Sequence, residues 1–257
     1  MCSPLSLGSW IYINRSEALV QAAHPGWPAA RVVSQAEADF NAAARAFWTE
    51  SIRLCKKLRP HGLWGWYNYP VDSWASTFTD LRWLYDEVSA LFPSIYLYSH
   101  DAAANVKRVD QALNRTQQVR DDLRKRLGRV LPTYTFAWLD YDMPPFPRAT
   151  AGLLTVTDMR AELVRGATRW GLAGTILWAS SVDSRNTTLC GGGPASLSAY
   201  VSDVAGPALL AAAEAADACA ASRCSSHGRC RGDEGASGAC ECDEGRSGAA
   251  CESKVKA

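Results

Sequence analysis

The sequence predicts an α/β chain built on a parallel sheet or barrel, followed by a small disulfide-rich module. Two observations carry this. Amphipathic helical stretches alternate with short, continuously apolar runs, the pattern of strands buried on both faces. Six of the nine cysteines, Cys219, Cys224, Cys230, Cys240, Cys242 and Cys251, crowd into the last forty or so residues of a 257-residue chain. That density marks a stapled module and an oxidising compartment.

The elements follow in order. Ser34-Gln-Ala-Glu37 has the form of a capping box. It predicts a helix starting there, with a buried face of Ala36, Phe40, Ala43, Ala44, Phe47, Leu54 and Leu58 and an end near Arg59-Pro60. Gly62 to Tyr67 reads as a buried strand closed by Pro70. A helix over 73–91 is followed by a strand over Phe92–Tyr96, and a charged helix runs from about Asn105 to Leu127. Leu131 to Tyr141 is aromatic and β-prone. Thr155 to Arg169 is helical, with Met159 and Leu163 four apart. Gly174 to Trp178 is a short strand, and an Ala-rich helix covers about 195–218. In parallel barrels ligand-binding residues stand at the carboxyl ends of strands. Tyr67, Tyr96 and Trp178 each occupy such an end, although core packing is an equal use for any one of them.

Composition narrows the function. Lys+Arg is 27 against 26 Asp+Glu, a net charge of +1, which demotes nucleic acid as a partner. Ten Trp and nine Tyr supply aromatic platforms of the kind that suit sugars, burial in a core being their commoner use. The apolar stretch 204–221 contains Pro207, Glu214 and Asp217 and reads as a soluble helix, so no membrane span is expected. Sequons at Asn14, Asn114 and Asn186 predict glycosylation and agree with secretion. No signal peptide is visible near Met1, and the expectation is that the natural N-terminus is missing.

The ending Cys240-Glu-Cys242-Asp-Glu-Gly245-Arg-Ser-Gly248-Ala-Ala-Cys251 resembles epidermal-growth-factor-like modules. That resemblance implies the pairs Cys219–Cys230, Cys224–Cys240 and Cys242–Cys251, where six cysteines alone allow 15 pairings. No acidic consensus precedes Cys219, so calcium is not expected; the sequons and the glycine placement argue against zinc as the rival use of the cysteines, and no other metal or cofactor is expected.

Four further segments together resemble the hyaluronidases of animal tissue and venom. They are Trp27-Pro-Ala-Ala-Arg31, Leu58-Arg-Pro-His-Gly-Leu-Trp-Gly-Trp-Tyr67, Ala90-Leu-Phe-Pro-Ser-Ile-Tyr96 and Ile176-Leu-Trp178-Ala-Ser180. The resemblance implies a distorted TIM-like barrel over 1–216, lacking its first strands, with the EGF-like module over 217–257. It implies cleavage of hyaluronan by a secreted or lysosomal monomer, and leaves open whether chondroitin is also cut. The mechanism is substrate-assisted: the substrate's acetamido oxygen attacks, one glutamic acid protonates the leaving oxygen, and an aspartate steadies the acetamido group. Tyr67 and Tyr96 match hydrogen-bonding tyrosines of the cleavage subsite, Trp178 its apolar wall with Ser180 beside it, and Arg108 a cleft arginine suited to glucuronate carboxylates.

The acid and aspartate of the family lie in an Asp-x-Glu motif, and these 257 residues contain none. Glu37-x-Asp39 is reversed, Asp140-x-Asp142 lies in a Pro-rich loop, and Asp233-Glu234 and Asp243-Glu244 belong to the cysteine module. The chain as written is therefore expected to be inactive. The alternatives are a form that binds hyaluronan or a full-length partner, and an extracellular protein interacting through its EGF-like module. Cys190 matches a family cysteine whose partner lies near the missing N-terminus, leaving it free or paired with Cys2.

Overall fold

A computed structural model describes residues 12–70, 81–141, 152–164, 169–177, 196–232 and 239–255. The chain divides into two compact units, one of residues 1–65 and 72–89 and the other of 66–71 and 90–257.

The first unit is helical. α1 (Ile13–Ala23) and α2 (Ala29–Leu58) join through a short turn. They bury Val20 against Val32 and Ala36, with Ile13, Trp27 and Phe40 packed around them. α2 begins five residues before the expected cap at Ser34, because Pro28 already holds the extended backbone of an N-cap (φ −62°, ψ 147°). Ser34 and Glu37 are therefore interior helical residues. The helix stops where expected, before Arg59-Pro60. Its expected buried face is covered only toward its start, where Ala36 is buried and Phe40 and Ala44 are partly so; Phe47, Leu54 and Leu58 are more than half exposed, and Ala43 is exposed too. The physical reason is reach. α1 has 11 residues and α2 has 30, so at 1.5 Å per residue α1 spans about a third of its partner. Of the expected 73–91 helix residues 81–91 are described, and there only α3 (Arg82–Tyr85) is α-helical; 86–91 turn away and Leu91 already bridges Thr133.

The second unit is a parallel α/β arrangement. Tyr67 bridges Phe92, Leu91 bridges Thr133 and Ser94 bridges Phe136, all parallel. β1 (Tyr134–Ala137) then pairs parallel with β2 (Gly174–Leu177), Tyr134 opposite Gly174. Four extended segments thus lie side by side in sequence order. The two expected strands at 62–67 and 92–96 make isolated bridges rather than ladders. Pro93 and Pro70 lack the N–H that a ladder needs.

Helices connect the segments. α4 (Ala102–Leu127) starts three residues earlier than expected, since the Asp101 carboxylate accepts from the Ala103 and Ala104 amides at 2.9 and 3.1 Å. α5 (Val156–Met159), capped by Thr155, continues as a π-helical turn over Arg160–Val164. α6 (Leu197–Tyr200) leads through a second π-helical turn into α7 (Gly206–Arg223). The core gathers Ile95, Leu97, Val109, Leu113, Ala137, Leu139, Tyr141, Met159 and Leu163, with Val204 and Leu209 against it. By length and composition alone, the stretch Leu197–Arg223 is apolar enough to cross a membrane. Within it only Ala205 and Ala212 are buried.

α7 runs without a break into the cysteine region and carries Cys219. There β3 (Gly228–Arg231) pairs antiparallel with β4 (Ala239–Cys242), and β5 (Arg246–Ser247) with β6 (Ser253–Lys254). The bridges are Cys219–Cys230, Cys224–Cys240 and Cys242–Cys251, the same three pairs that the resemblance implies. Among the described residues Cys55 is a free, half-buried thiol.

Candidate functional site

Tyr67 and Tyr96 come from neighbouring segments of the parallel sheet. The chain wraps around Phe92: the Asn68 amide donates to the Phe92 carbonyl at 2.9 Å, and the Phe92 amide donates back to Tyr69 at 3.1 Å. Asn68 makes this turn with φ +62°, a left-handed conformation that Asn tolerates better than most residues. The turn presents Tyr67, 47% exposed, above Tyr96, 3% exposed. Tyr67 Oη donates to Tyr96 Oη at 3.0 Å.

The rings are braced from the third segment. Tyr67 meets Phe136 edge-on, centroids 5.0 Å apart. Tyr96 lies flat on Trp138 at 4.6 Å with planes 5° apart. Tyr69 is half-buried, and burial pushes its phenol up to about 12, so it stays neutral.

Arg108 projects from α4 to the same place. Its Nε donates to the Tyr96 carbonyl at 2.8 Å, and its guanidinium sits 4.1 Å from the centre of the Tyr98 ring. Tyr98 is 43% exposed. The result is a linked phenol pair, an aromatic face and a fixed cation. A hydroxyl that accepts one hydrogen bond still has a proton to donate, and a guanidinium matches a carboxylate's two oxygens.

Around α5 lies a buried polar cluster. Asp158 accepts from Tyr141 Oη at 2.6 Å, Thr155 Oγ1 at 2.9 Å and Asn105 Nδ2 at 3.1 Å. Burial alone would raise its carboxyl, but these three donors outweigh burial and hold it below the ordinary range. His100 packs edge-on against Tyr141 at 4.2 Å. Glu162, on the π-helical turn, is 1% exposed and neither oxygen has a hydrogen-bond partner. Burial, and then the Asp158 charge, push its carboxyl well above the carboxylate range against the opposing pull of Arg108.

Of the residues expected from sequence, Tyr67, Tyr96 and Arg108 come together. Trp178, Ser180, Asn186, Asp142, Cys2 and Cys190 lie outside the described residues. Asp140 stands just past β1, 7% exposed, its Oδ1 accepting from the Tyr141 amide at 2.8 Å. Asn14 and Asn114 are exposed, on α1 and α4. Among the described residues no three His, Cys, Asp or Glu side chains gather as a metal site would require. Sequence reasoning missed Trp138, Tyr98 and Glu162. The period-two run Tyr134, Phe136, Trp138 was the available signal for the first; for Glu162 it was a carboxylate on the same helical face as Met159.

Comparison with known proteins follows the same line. A family profile described as Hyaluronidase matches residues 8–240. Hyaluronidase-1 of Sus scrofa is 33% identical over 242 residues, covering 86% of this chain and 52% of its own length. Hyaluronidase-1 of Homo sapiens is 30% identical with the same two shares. Hyaluronidase-2 of Mus musculus is 30% identical, covering 88% of this chain and 50% of its own. The chain thus spans about half the length of the curated relatives it matches. Among solved structures, bee venom hyaluronidase superposes with a TM-score of 0.64 at 24% identity, covering 77% of this chain and 64% of that one. The same enzyme in complex with a hyaluronic acid tetramer gives 0.66, with shares of 79% and 63%. At that identity the likeness speaks for the fold.

Proposed function

The chain belongs to the hyaluronidase family of glycoside hydrolases, and on that premise we propose that its second unit binds an N-acetylhexosaminide of hyaluronan, with chondroitin as a second ligand, across the Tyr67–Tyr96 pair. The observation that carries this reading is the 3.0 Å bond between the two phenols with Arg108 anchored on the Tyr96 carbonyl. Tyr96 donates to the acetamido oxygen of the sugar, and Tyr67 Oη, whose own proton goes to Tyr96, accepts from a sugar hydroxyl. Arg108 pairs with a glucuronate carboxylate. Trp178 and Ser180 complete the subsite as an apolar wall and a polar neighbour.

The same reading takes residues 1–216 as a distorted β/α barrel, supported by the four parallel segments and the helices between them. It takes 217–257 as an EGF-like module, supported by the three bridges and the two short hairpins. Bridges of this density fit a secreted or lysosomal monomer without a membrane span, bearing glycans at Asn14, Asn114 and Asn186.

Turnover is a separate matter. Substrate-assisted cleavage needs a carboxylic acid with raised pKa facing the leaving oxygen. These 257 residues contain no Asp-x-Glu. Asp158 is spent on three internal donors, and Glu162 is sealed from solvent. A positioned acid is worth roughly 10²–10⁴-fold, so these residues by themselves hold the polymer without cutting it.

The test uses the oxidised 257-residue chain. Calorimetric titration with a hyaluronan octasaccharide should show weak binding that Tyr67→Phe lowers about tenfold, the value of one hydrogen bond to a polar ligand. Reducing-end assays from pH 3.5 to 7.5 should show no depolymerisation. Unchanged affinity in Tyr67→Phe would remove the phenol pair from the site, and robust cleavage would overturn the inactive reading.

A further inference from the structure

The cysteine module is fastened to α4 by charge, and among the described residues that charge does not balance. β4 places Glu241 against α4, where Arg120 Nη2 and Arg124 Nη2 both donate to it, the second at 3.3 Å. The Arg120 and Glu241 side chains are each 3% exposed. The carboxylate is therefore committed to a buried guanidinium. β3 then adds Arg229 and Arg231. Among the described residues Arg231 forms no ion pair or hydrogen bond through its side chain, and its Nε is buried without an acceptor. Burial draws the Arg120 guanidinium below its ordinary value, Glu241 opposes this, and Arg231 and Arg229 draw it down further.

Arg231 is held in place by its stem. Gly171, with φ +60°, lies so close that an added Cβ would stand 3.0 Å from Arg231 Cγ and 3.4 Å from the Cys230 carbonyl. A residue with a side chain there would push the module away. A concavity of about 440 Å³ opens at this seam, lined by Arg124, Arg169, Arg231, Trp170 and Glu241 among others. Arg169 is bonded to Asp110 at 3.3 Å, and Trp170 Nε1 donates to the same carboxylate.

We propose that this concavity binds the anionic groups, carboxylate or sulfate, of an acidic glycosaminoglycan, as a second contact distinct from the Tyr67–Tyr96 pair. Buried guanidinium N–H groups without acceptors call for an oxygen ligand, and planar forks take carboxylate or sulfate oxygens in pairs. The indole of Trp170 offers an apolar surface for a sugar ring beside those charges. Arg108 and the concavity's Arg124 are sixteen residues apart on one helix, about 24 Å along its axis, so the two contacts are separate places. The ligand class rests on the function proposed above; the anion site rests on the arginines.

The experiment titrates the oxidised, full 257-residue chain with octasaccharides of hyaluronan, of chondroitin 4-sulfate and of neutral chitin. The protein is first freed of N-glycans, because Asn114 lines an adjoining groove that shares Arg169 and Trp170. Arg231→Ala removes no internal hydrogen bond, so the fold should persist, as unchanged disulfide mapping and α4 hydrogen exchange would verify. It should weaken both acidic ligands about tenfold, Arg231→Glu should weaken them more, and binding of the chitin octasaccharide at the tyrosines should not change. The ratio of the two acidic affinities tells carboxylate from sulfate. Equal affinities of wild type and Arg231→Glu for both acidic octasaccharides overturn the proposal, as does binding of inorganic sulfate without either octasaccharide. Loss of binding in Tyr67→Phe but not in the Arg231 variants sinks this site and keeps the first. The reverse pattern keeps this site and sinks the first.

Discussion

α2 and α4 are long helices of 30 and 26 residues, yet α2 buries three residues and α4 buries nine. α2 has the clearer apolar face of the two. The difference teaches that an amphipathic pattern does not bury itself. α4 lies against the sheet segments, α5 and the cysteine module, and each of those surfaces covers part of it. α2 meets a partner helix a third of its length. Four of the nine buried residues on α4 are polar, Asn105, Thr116, Gln117 and Arg120. Each has a partner: Asn105 reaches Asp158 and the Ser99 carbonyl, Thr116 back-bonds to Ala112, Gln117 reaches Asp121, and Arg120 reaches Glu241. The first unit instead relies on exposed pairs such as Arg53 with Glu50 and Glu87.

The sharpest way to break this contrast is to strip α4 of its buried charge partner. Glu241→Ala leaves Arg120 buried without a carboxylate, and removing one member of such a pair costs about 3–5 kcal/mol. Chemical denaturation should show that loss, with hydrogen exchange rising along α4 and not along α2. The double change Arg120→Met with Glu241→Leu should regain most of it, since an apolar pair of similar volume costs no desolvation. Arg53→Ala, by contrast, should leave the exchange of α2 unchanged, because exposed pairs contribute little. A small effect of Glu241→Ala would mean that the unbroken run of α7 into the module, not the ion pair, holds it in place.

How far the sequence could be read follows from the same distinction. The order of the parallel segments was legible because each is a short, continuously apolar run between helical stretches. The end of α2 was legible where a single residue decides it, at Arg59-Pro60, whereas the Asp101 cap before three alanines was passed over and the start of α4 was placed three residues late. Ser34-Gln-Ala-Glu37 misled because a capping box has the same spacing as an ordinary pair of polar residues inside a helix, and Pro28 had already started the turn. The meeting of Tyr67, Tyr96 and Arg108 could be anticipated from their place at strand ends and from the resemblance. Tyr98 could not, and for Trp138 the period-two run Tyr134, Phe136, Trp138 marked a shared face without saying which neighbours it meets, since that depends on register. Glu162 was hidden for a related reason: a Glu in a helical stretch is solvated unless the packing partners of that face are known.

Glu162 gives the next effect. Its neutral form is favoured in the folded chain, so folding binds a proton that the unfolded chain releases above about pH 4.3. Stability from this group is full below that value and is lost as pH rises toward the raised folded value. One proton sets a slope of up to ~1.4 kcal/mol per pH unit. Asp158 acts in the opposite sense, but only as pH falls through the acid range where its lowered carboxyl protonates. Between pH 5 and 8 the fall in melting temperature should therefore belong to Glu162, and Glu162→Gln should flatten it. Equal slopes in both proteins would show that Glu162 is ionised in the fold.

The smallest effect tests the exposed side of the comparison. Leu54 lies on the face of α2 that its spacing marks as apolar, two residues after buried Ile52, yet it is 55% exposed. Replacing an exposed leucine by glutamine removes little area from its packed state and leaves helix propensity almost unchanged. Leu54→Gln should shift the stability of the first unit by less than ~0.5 kcal/mol, the range of surface substitutions. Exchange rates of α2 amides give the readout, because they report the local opening of this helix without contribution from the second unit. A loss of several times that size would show that this face of α2 is covered in solution. The apolar periodicity of α2 would then have forecast its burial correctly, and α2 and α4 would differ in which surface covers them rather than in whether they are covered.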